Sequence, residues 1–177
     1  MDLQMFGLTP VQGKKMIYLM RVLGDAATEA AAVVPYTTED TLTISADGDT
    51  TATKDGPITT PGTPEIEFSK TAIMAYDSSV TGDTIVDKLR QAVVDGSIVE
   101  LWEANLARPA STSGKYKGMY YQGLLTEFEV TANAEDLCEV SFSYRANGTG
   151  AEGDVTVTAE QQEIASYTFV DTPKTGV

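Results

Sequence analysis

The chain has 177 residues, enough for one sizeable domain, and its 26 acidic against 12 basic side chains give a net charge of −14; such a chain is repelled by nucleic-acid phosphates, which excludes a conventional DNA- or RNA-binding role. It has one cysteine and no histidine, so an internal disulfide framework, Ser-His-Asp or Cys-His catalysis and most zinc chemistry are out of reach. No apolar run approaches the ~20 residues of a membrane helix, and the first six residues lack a basic region leading into an apolar run, so the expectation is a soluble cytoplasmic product without a secretion signal or membrane insertion.

Residues 1–13, with Pro10 and Gly13, read as an extended arm. Lys14 to Leu23 carries apolar residues on both faces and reads as a strand buried on both sides, ended by Gly24-Asp25. The Ala-rich run 25–35 allows a short helix, stopped by Pro35. Thr41 to Ala46 alternates; Asp47-Gly48 is a two-residue turn signal, from which Thr50 to Lys54 is expected to return antiparallel. Asp55-Gly56-Pro57 and Pro61-Gly62 are further reversals, and in Glu65 to Ser69 the side chains of Ile66 and Phe68 point inward. The richness of 37–63 in Thr, Asp, Gly and Pro predicts a projecting loop.

A helix is expected over 83–95. Asp83 is placed to cap it, Ile85, Val86, Leu89, Ala92 and Val93 form an apolar stripe, and Gly96 is placed to end it. Ile98 to Ala104 reads as a strand between two layers, and Arg108 to Gly114 as a flexible loop. Then comes a long antiparallel hairpin over 116–146, well beyond the usual ~5–6 residues per strand. In its first arm Tyr116, Tyr120, Leu124, Phe128 and Val130 are read as sharing one face. Asn133 to Asp136 is the polar turn, and in the second arm Cys138, Val140, Phe142, Tyr144 and Ala146 alternate with Glu139, Ser141, Ser143 and Arg145. Cys138 therefore reads as a packing residue. Asn147 to Gly153 reads as a second loop, followed by short strands at 155–158 and 166–170. The fold class is mainly β with one helix, in a single domain over 1–177 whose C-terminal segment is 151–177.

None of the candidate motifs holds a catalytic set. Gly148-Thr-Gly150-Ala-Glu-Gly153 matches a dinucleotide pattern, but that motif needs a helix opening at its end, and Asp154 to Thr158 alternates like a strand. Glu65/Glu67 and Glu127/Glu129 are carboxylate pairs on strand faces, and nothing in the sequence shows the cleft or desolvating neighbour that a glycosidase pair needs. Asp47, Asp49 and Asp55 lack the ligand run and closing Glu of a calcium loop. Asn147-Gly-Thr149 is a sequon without secretory context, and Lys115 to Tyr121 mixes bases and aromatics too sparsely for a −14 chain. No catalytic residue, cofactor or metal is expected.

Read in order, Thr53-Lys-Asp-Gly-Pro57, Thr60-Pro-Gly62, the helix ending Val94-Asp-Gly96, Val99-Glu-Leu-Trp-Glu103, Lys117 with Tyr120-Tyr-Gln-Gly123, and Tyr144-Arg-Ala-Asn-Gly-Thr-Gly150 resemble the major tail proteins of long, non-contractile-tailed bacteriophages, particularly those of Gram-positive hosts. The resemblance covers about 14–150 and is weaker at 25–35 and beyond Gly150. It implies a β-sandwich or barrel-like subunit with one flanking helix, hexameric rings whose inner sheets join into one barrel, and rings stacked into a tube through which DNA leaves the capsid. It implies as partners further copies of the chain and other tail proteins at the tube ends, with DNA passing unbound. On that reading Glu127, Glu129, Glu139, Ser141, Ser143 and Arg145 line the bore, and the loop carrying Asp47, Asp49, Lys54 and Asp55 reaches the next ring. Two other readings are an immunoglobulin-like binding or adhesion module and the tube protein of a contractile or type VI-like injection system.

Overall fold

The computed structural model describes residues 7–79 and 81–163. Its elements are β1 (Met16–Val22), β2 (Ala32–Val33), β3 (Thr37–Ser45), β4 (Asp49–Thr53), β5 (Gly56–Thr60), β6 (Glu65–Ile73), α1 (Ile85–Asp95), β7 (Val99–Pro109), β8 (Lys115–Thr131), β9 (Glu139–Thr156) and α2 (Ala159–Glu163). Seven strands form one sheet in the order β2-β1-β7-β8-β9-β6-β3, and β4 and β5 form a separate two-stranded ribbon. Every pairing is antiparallel.

The long β8–β9 hairpin is the stave to which the rest is fixed. β6 and then β3 pair along the half nearest its tip, from Ile73 opposite Glu139 to Glu67 opposite Arg145. β7 and then β1 pair along the half nearest its base, from Val99 opposite Gly123 to Ala104 opposite Gly118. Sheet twist rolls the two flanks towards each other. Tyr18 of β1 and Phe68 of β6, which are not neighbours in the sheet, meet with ring centroids 4.7 Å apart. Inside this curl the Tyr144 hydroxyl donates to the Val99 carbonyl at 3.1 Å. The core comprises Met20, Leu101, Tyr121, Val140 and Phe142 with Val86, Leu89 and Ala92 of α1, so the helix plugs the curl with the apolar stripe its sequence encodes.

A smaller cluster lies on the other face of the base half: Ile17, Leu19, Ala104, Val155 and Val157, against Ala31, Val33 and Trp102. From α2, Gln161 reaches across to donate to the Ala31 carbonyl at 3.0 Å. β1 is thereby buried on both faces, as its doubly apolar sequence predicts.

Several local expectations change. The Ala-rich run follows a short 3-10 turn at Leu23–Asp25 and forms no helix: it makes a turn over 26–28 and then β2. A short isolated helix nucleates poorly in water, whereas the free edge of β1 offers backbone partners to Ala32 and Val33. Thr84, not Asp83, caps α1: its hydroxyl takes the Asp87 N–H while the Asp87 carboxylate takes the Thr84 N–H at 2.9 Å. Asp47-Gly48 does not join a hairpin. β3 pairs with β6, and β4 turns back into β5 across Lys54-Asp55, so β3 belongs to the body, and only the chain after Ser45 forms the separate, exposed ribbon.

The presumed loop at Asn147–Gly153 lies inside β9 as a bulge: the chain leaves register after Asn147 and re-enters at Ala151. Gly148 and Gly150 hold φ of +70° and +75° there, and a Cβ on Gly150 would lie 2.5 Å from the Tyr121 ring. The strand read at 155–158 is the end of β9 and the two residues beyond it. A second bulge at Thr126 corrects the reading of the first arm: Tyr116, Tyr120 and Leu124 lie on one face, Phe128 and Val130 on the other, because one extra residue inverts every side chain after it. Ser166 to Val170 and residues 1–6 of the arm lie outside the described residues.

Candidate functional site

Two surfaces stand apart from the packed body: the wet face of the tip half of the sheet, and the ribbon.

On the wet face, four strands align in rows. Thr43, Glu67, Arg145 and Leu124 lie side by side; so do Thr41, Ser69, Ser143 and Glu127, and then Glu39, Thr71, Ser141 and Glu129. Glu139 closes the series beside Thr131. Alternation along β9 sends Val140, Phe142 and Tyr144 into the core and leaves Glu139, Ser141, Ser143 and Arg145 outside. The Thr126 bulge restores Glu127 and Glu129 to that outer side. All six residues that the sequence singled out for one face are therefore together. Glu39, Glu65, Glu67, Glu127, Glu129 and Glu139 face a single cation there among the described residues, Arg145, which pairs with Glu67. Hydrogen bonding to Glu67 raises the Arg145 pKa further above its ordinary value, so its charge is permanent.

A depression of about 510 Å³ on this face is lined by Thr41, Thr43, Ser69, Thr126, Glu127 and Ser143, among others. It is open to solvent and offers hydroxyls and solvated charges, not a nucleophile held against a base. Among the described residues no group of three or more His, Cys, Asp or Glu side chains is placed to hold a metal ion.

Sequence reasoning missed the polar groups inside the body. Lys70 is 2 % exposed on the core face of β6. Its Nζ lies 2.6 Å from Asp40 Oδ1 on β3 and donates to Thr37 Oγ1 at 3.0 Å. The approach to Oδ1 is an ion-pair contact outside hydrogen-bonding geometry. Burial lowers the Lys70 pKa and raises that of Asp40, each opposed by the attraction between them. Glu100, also buried, accepts from Arg21 Nε at 2.7 Å and from the Tyr120 hydroxyl at 2.6 Å. The Arg21 guanidinium sits 5.1 Å from the centre of the Trp102 ring. Nothing in the alternation of β6 marks Lys70 as a core residue except its place two positions from Phe68 and Ala72.

In the ribbon, β4 and all of β5 but Gly56 are exposed. It is held by its own ladder, by Thr50 and Thr59 hydroxyls 3.0 Å apart, and by Thr53 Oγ1 donating to the Gly56 carbonyl at 2.6 Å. Asp47, Asp49, Lys54 and Asp55 take part in no ion pair among the described residues. An isolated two-stranded hairpin is marginal in water, and Ile58 is left 58 % exposed on this one.

Residues 10–151 match the family model described as phage tail tube protein. The chain belongs to the phage tail tube protein family. The tail tube protein is also 33% identical over 163 residues, 89% of its length, to a tail protein of Staphylococcus phage phiMR25, of which the match covers 81%. In fold it is similar to the subunit of the SPP1 tail tube, with TM-score 0.72 and 20% identity over 94% of this chain and 93% of that one. It is also similar to a subunit in the tail of a gene transfer agent particle with C6 symmetry: TM-score 0.59, 10% identity, covering 80% and 98%. The place of this tail tube protein is the virion tail, and its role there is structural.

Proposed function

We propose that this tail tube protein closes into hexameric rings that stack into the tube of a long, non-contractile tail, with the wet face of the β8–β9 half-sheet lining the bore. The observation that carries this is a sheet that is unfinished on its own. β3 is nine residues long and, among the described residues, unpaired on its outer side, an arrangement that invites aggregation unless a neighbouring chain supplies the missing strand. Rings of copies joined edge to edge abolish that liability. The C6 symmetry of the gene transfer agent tail and the SPP1 tail tube, two assemblies built from subunits of this fold, support the same reading.

The bore assignment rests on charge. A surface with six carboxylates and one paired arginine repels the phosphates of passing DNA and leaves the duplex free to slide. Glu127, Glu129, Glu139, Ser141, Ser143 and Arg145 are the residues that carry it. The chain acts in this reading without catalysis: it binds copies of itself, and other tail proteins at the tube ends. The ribbon with Asp47, Asp49, Lys54 and Asp55 reaches the neighbouring ring, where contact with a second copy supplies the packing it lacks. The whole chain acts as a single domain with an N-terminal arm and a C-terminal segment.

Electron microscopy of the concentrated protein tests the assembly: rings or tubes around a central hole are expected, and a strictly monomeric species at high concentration refutes it. A cysteine at Ser143, with Cys138 replaced by Ala, tests the facing. In assembled tubes it should be shielded from a bulky maleimide that labels it in free subunits, and equal labelling in both states would place the wet face outside.

A further inference from the structure

Of the six cations among the described residues that sit in no ion pair, four are gathered at one end; the other two are Lys54 in the ribbon and Arg90 on α1. Arg21, Lys70, Lys88, Lys117 and Arg145 each sit in an ion pair. Lys14, Lys15, Arg108 and Lys115 have none among the described residues, and the fold brings these four together at the base of the hairpin. The Gly13–Lys15 turn lies against β7 just before Met16 pairs with Asn105. Arg108 is at the end of β7, and Ala110 donates to the Lys115 carbonyl at 2.8 Å to close the β7–β8 connection. Lys14, Lys15 and Arg108 are exposed.

The far end has the opposite sign. β8 is 17 residues long, so the tip lies about 50 Å away at ~3.3 Å per residue. Glu129, Glu135, Asp136 and Glu139 surround the tip without an ion pair among the described residues. The Met74 N–H donates to the Cys138 carbonyl at 2.8 Å, which draws the segment with Asp77 and Asp83 to the same end. Arg90, close enough to Asp87 to lower its pKa, is the cation on that side that sits in no ion pair among the described residues.

We propose that these two ends are mates: the cations at the base of one subunit lie against the carboxylates around the hairpin tip of a subunit in the next ring. This rests on the tube reading above and adds its polarity and its chemistry. A head-to-tail contact between two different surfaces of one chain generates an open stack instead of a closed dimer. Repetition around each ring multiplies the attraction, and the orientation in which like ends meet is repelled, so rings add in one direction only. The ribbon leaves the body from the base-facing ends of β3 and β6, beyond Ser45 and Glu65, so reach and charge act in the same direction.

Two charge-reversed chains test this. The first carries Lys14→Glu, Lys15→Glu, Arg108→Glu and Lys115→Glu; the second carries Glu129→Lys, Glu135→Lys, Asp136→Lys and Glu139→Lys. Each alone presents like charge at both ends, so rings without tubes are expected by electron microscopy. Mixed in equal amounts they are expected to form tubes again, alternating ring by ring. Wild-type tubes should shorten several-fold between about 0.05 M and about 0.5 M salt, as contacts made across solvent are screened. Tubes of wild-type length from either reversed chain alone, or rings that fail to join in the mixture, overturn the pairing and leave the tube reading intact. A wild-type chain that forms neither rings nor tubes overturns both. If a reversed chain does not close into rings, the neutral set Lys14→Gln, Lys15→Gln, Arg108→Gln and Lys115→Gln decides: tube length that still falls with salt as in the wild type refutes the proposal.

Discussion

The β3–β6 pair and the β4–β5 ribbon are adjacent in sequence, both antiparallel and both rich in threonine, yet they are held in different ways. In β3–β6 one face enters the core: Ile66, Phe68 and Ala72 are buried, and Lys70 is buried with them against Asp40 and Thr37. In the ribbon no side chain is buried, and the ladder and a few hydroxyl contacts are all that order it. The difference teaches that strand-forming composition does not decide where stability comes from. The pair is stabilised by burial against its own chain, whereas the ribbon is left exposed on both faces, as the proposed contact with a second copy requires.

The sharpest way to break the comparison is at Lys70. Lys70→Ala leaves half-buried Asp40 without its counter-charge and opens a cavity beside Phe68, an expected loss of about 3 kcal/mol measurable by urea unfolding. Asp40→Leu with Lys70→Met removes both charges and retains volume, and should recover most of that loss. If the single and double variants are equally destabilised, the pair is not what couples β3 to β6.

A smaller effect is expected at the helix that plugs the curl. Thr84→Ala removes the reciprocal cap on α1 and should cost about 1 kcal/mol. The same cap gives a pH dependence. The Thr84 hydroxyl and backbone N–H hold the Asp87 pKa below its ordinary 3.8, so the folded state binds this proton less readily than the unfolded chain. The stabilisation is fully present above the ordinary carboxylate value and is lost as pH falls through the depressed one. Thermal melts of wild type and Thr84→Ala should therefore converge as the pH is taken below about 4. A gap that stays constant to acid pH would show that the cap acts through the hydroxyl alone.

Much of this architecture is legible in the residues. The alternation of β9, the doubly apolar β1, the α1 stripe and the Gly96 stop are local patterns, and local patterns survive folding. The wet face was legible for the same reason: period-two alternation put Glu139, Ser141, Ser143 and Arg145 on one side whatever their partners. Pairing choices were not legible. Asp47-Gly48 is a good hairpin signal, but β3 gains more by laying Leu42 and Asp40 along β6 than by pairing with the exposed β4. The bulges at Thr126 and at Gly148–Gly150 were hidden as well, since an extra residue leaves no mark until its partner strand is known. The buried Lys70 was hidden because a lysine between apolar neighbours reads as a surface residue until a carboxylate is found opposite it.

The gentlest perturbation of the body should give the clearest result for the ribbon. A Cβ at Gly62 would lie 1.5 Å from the Asp47 carbonyl oxygen, so Gly62→Ala forces apart the two chains where the ribbon leaves the body. Deleting Asp47–Asp55 removes the β4 half of the ribbon altogether. Neither change touches a core side chain, and the deletion lies in exposed chain, where changes usually alter stability by no more than about 0.5 kcal/mol. Subunit unfolding should thus match the wild type in the deletion, and rings should still close in both variants, because the β3 edge is intact. Long tubes should be lost with the deletion and shortened by Gly62→Ala. Tube growth unchanged by the deletion would mean that the ribbon is not ordered by a neighbouring ring, and that the body's two charged ends suffice to stack the rings.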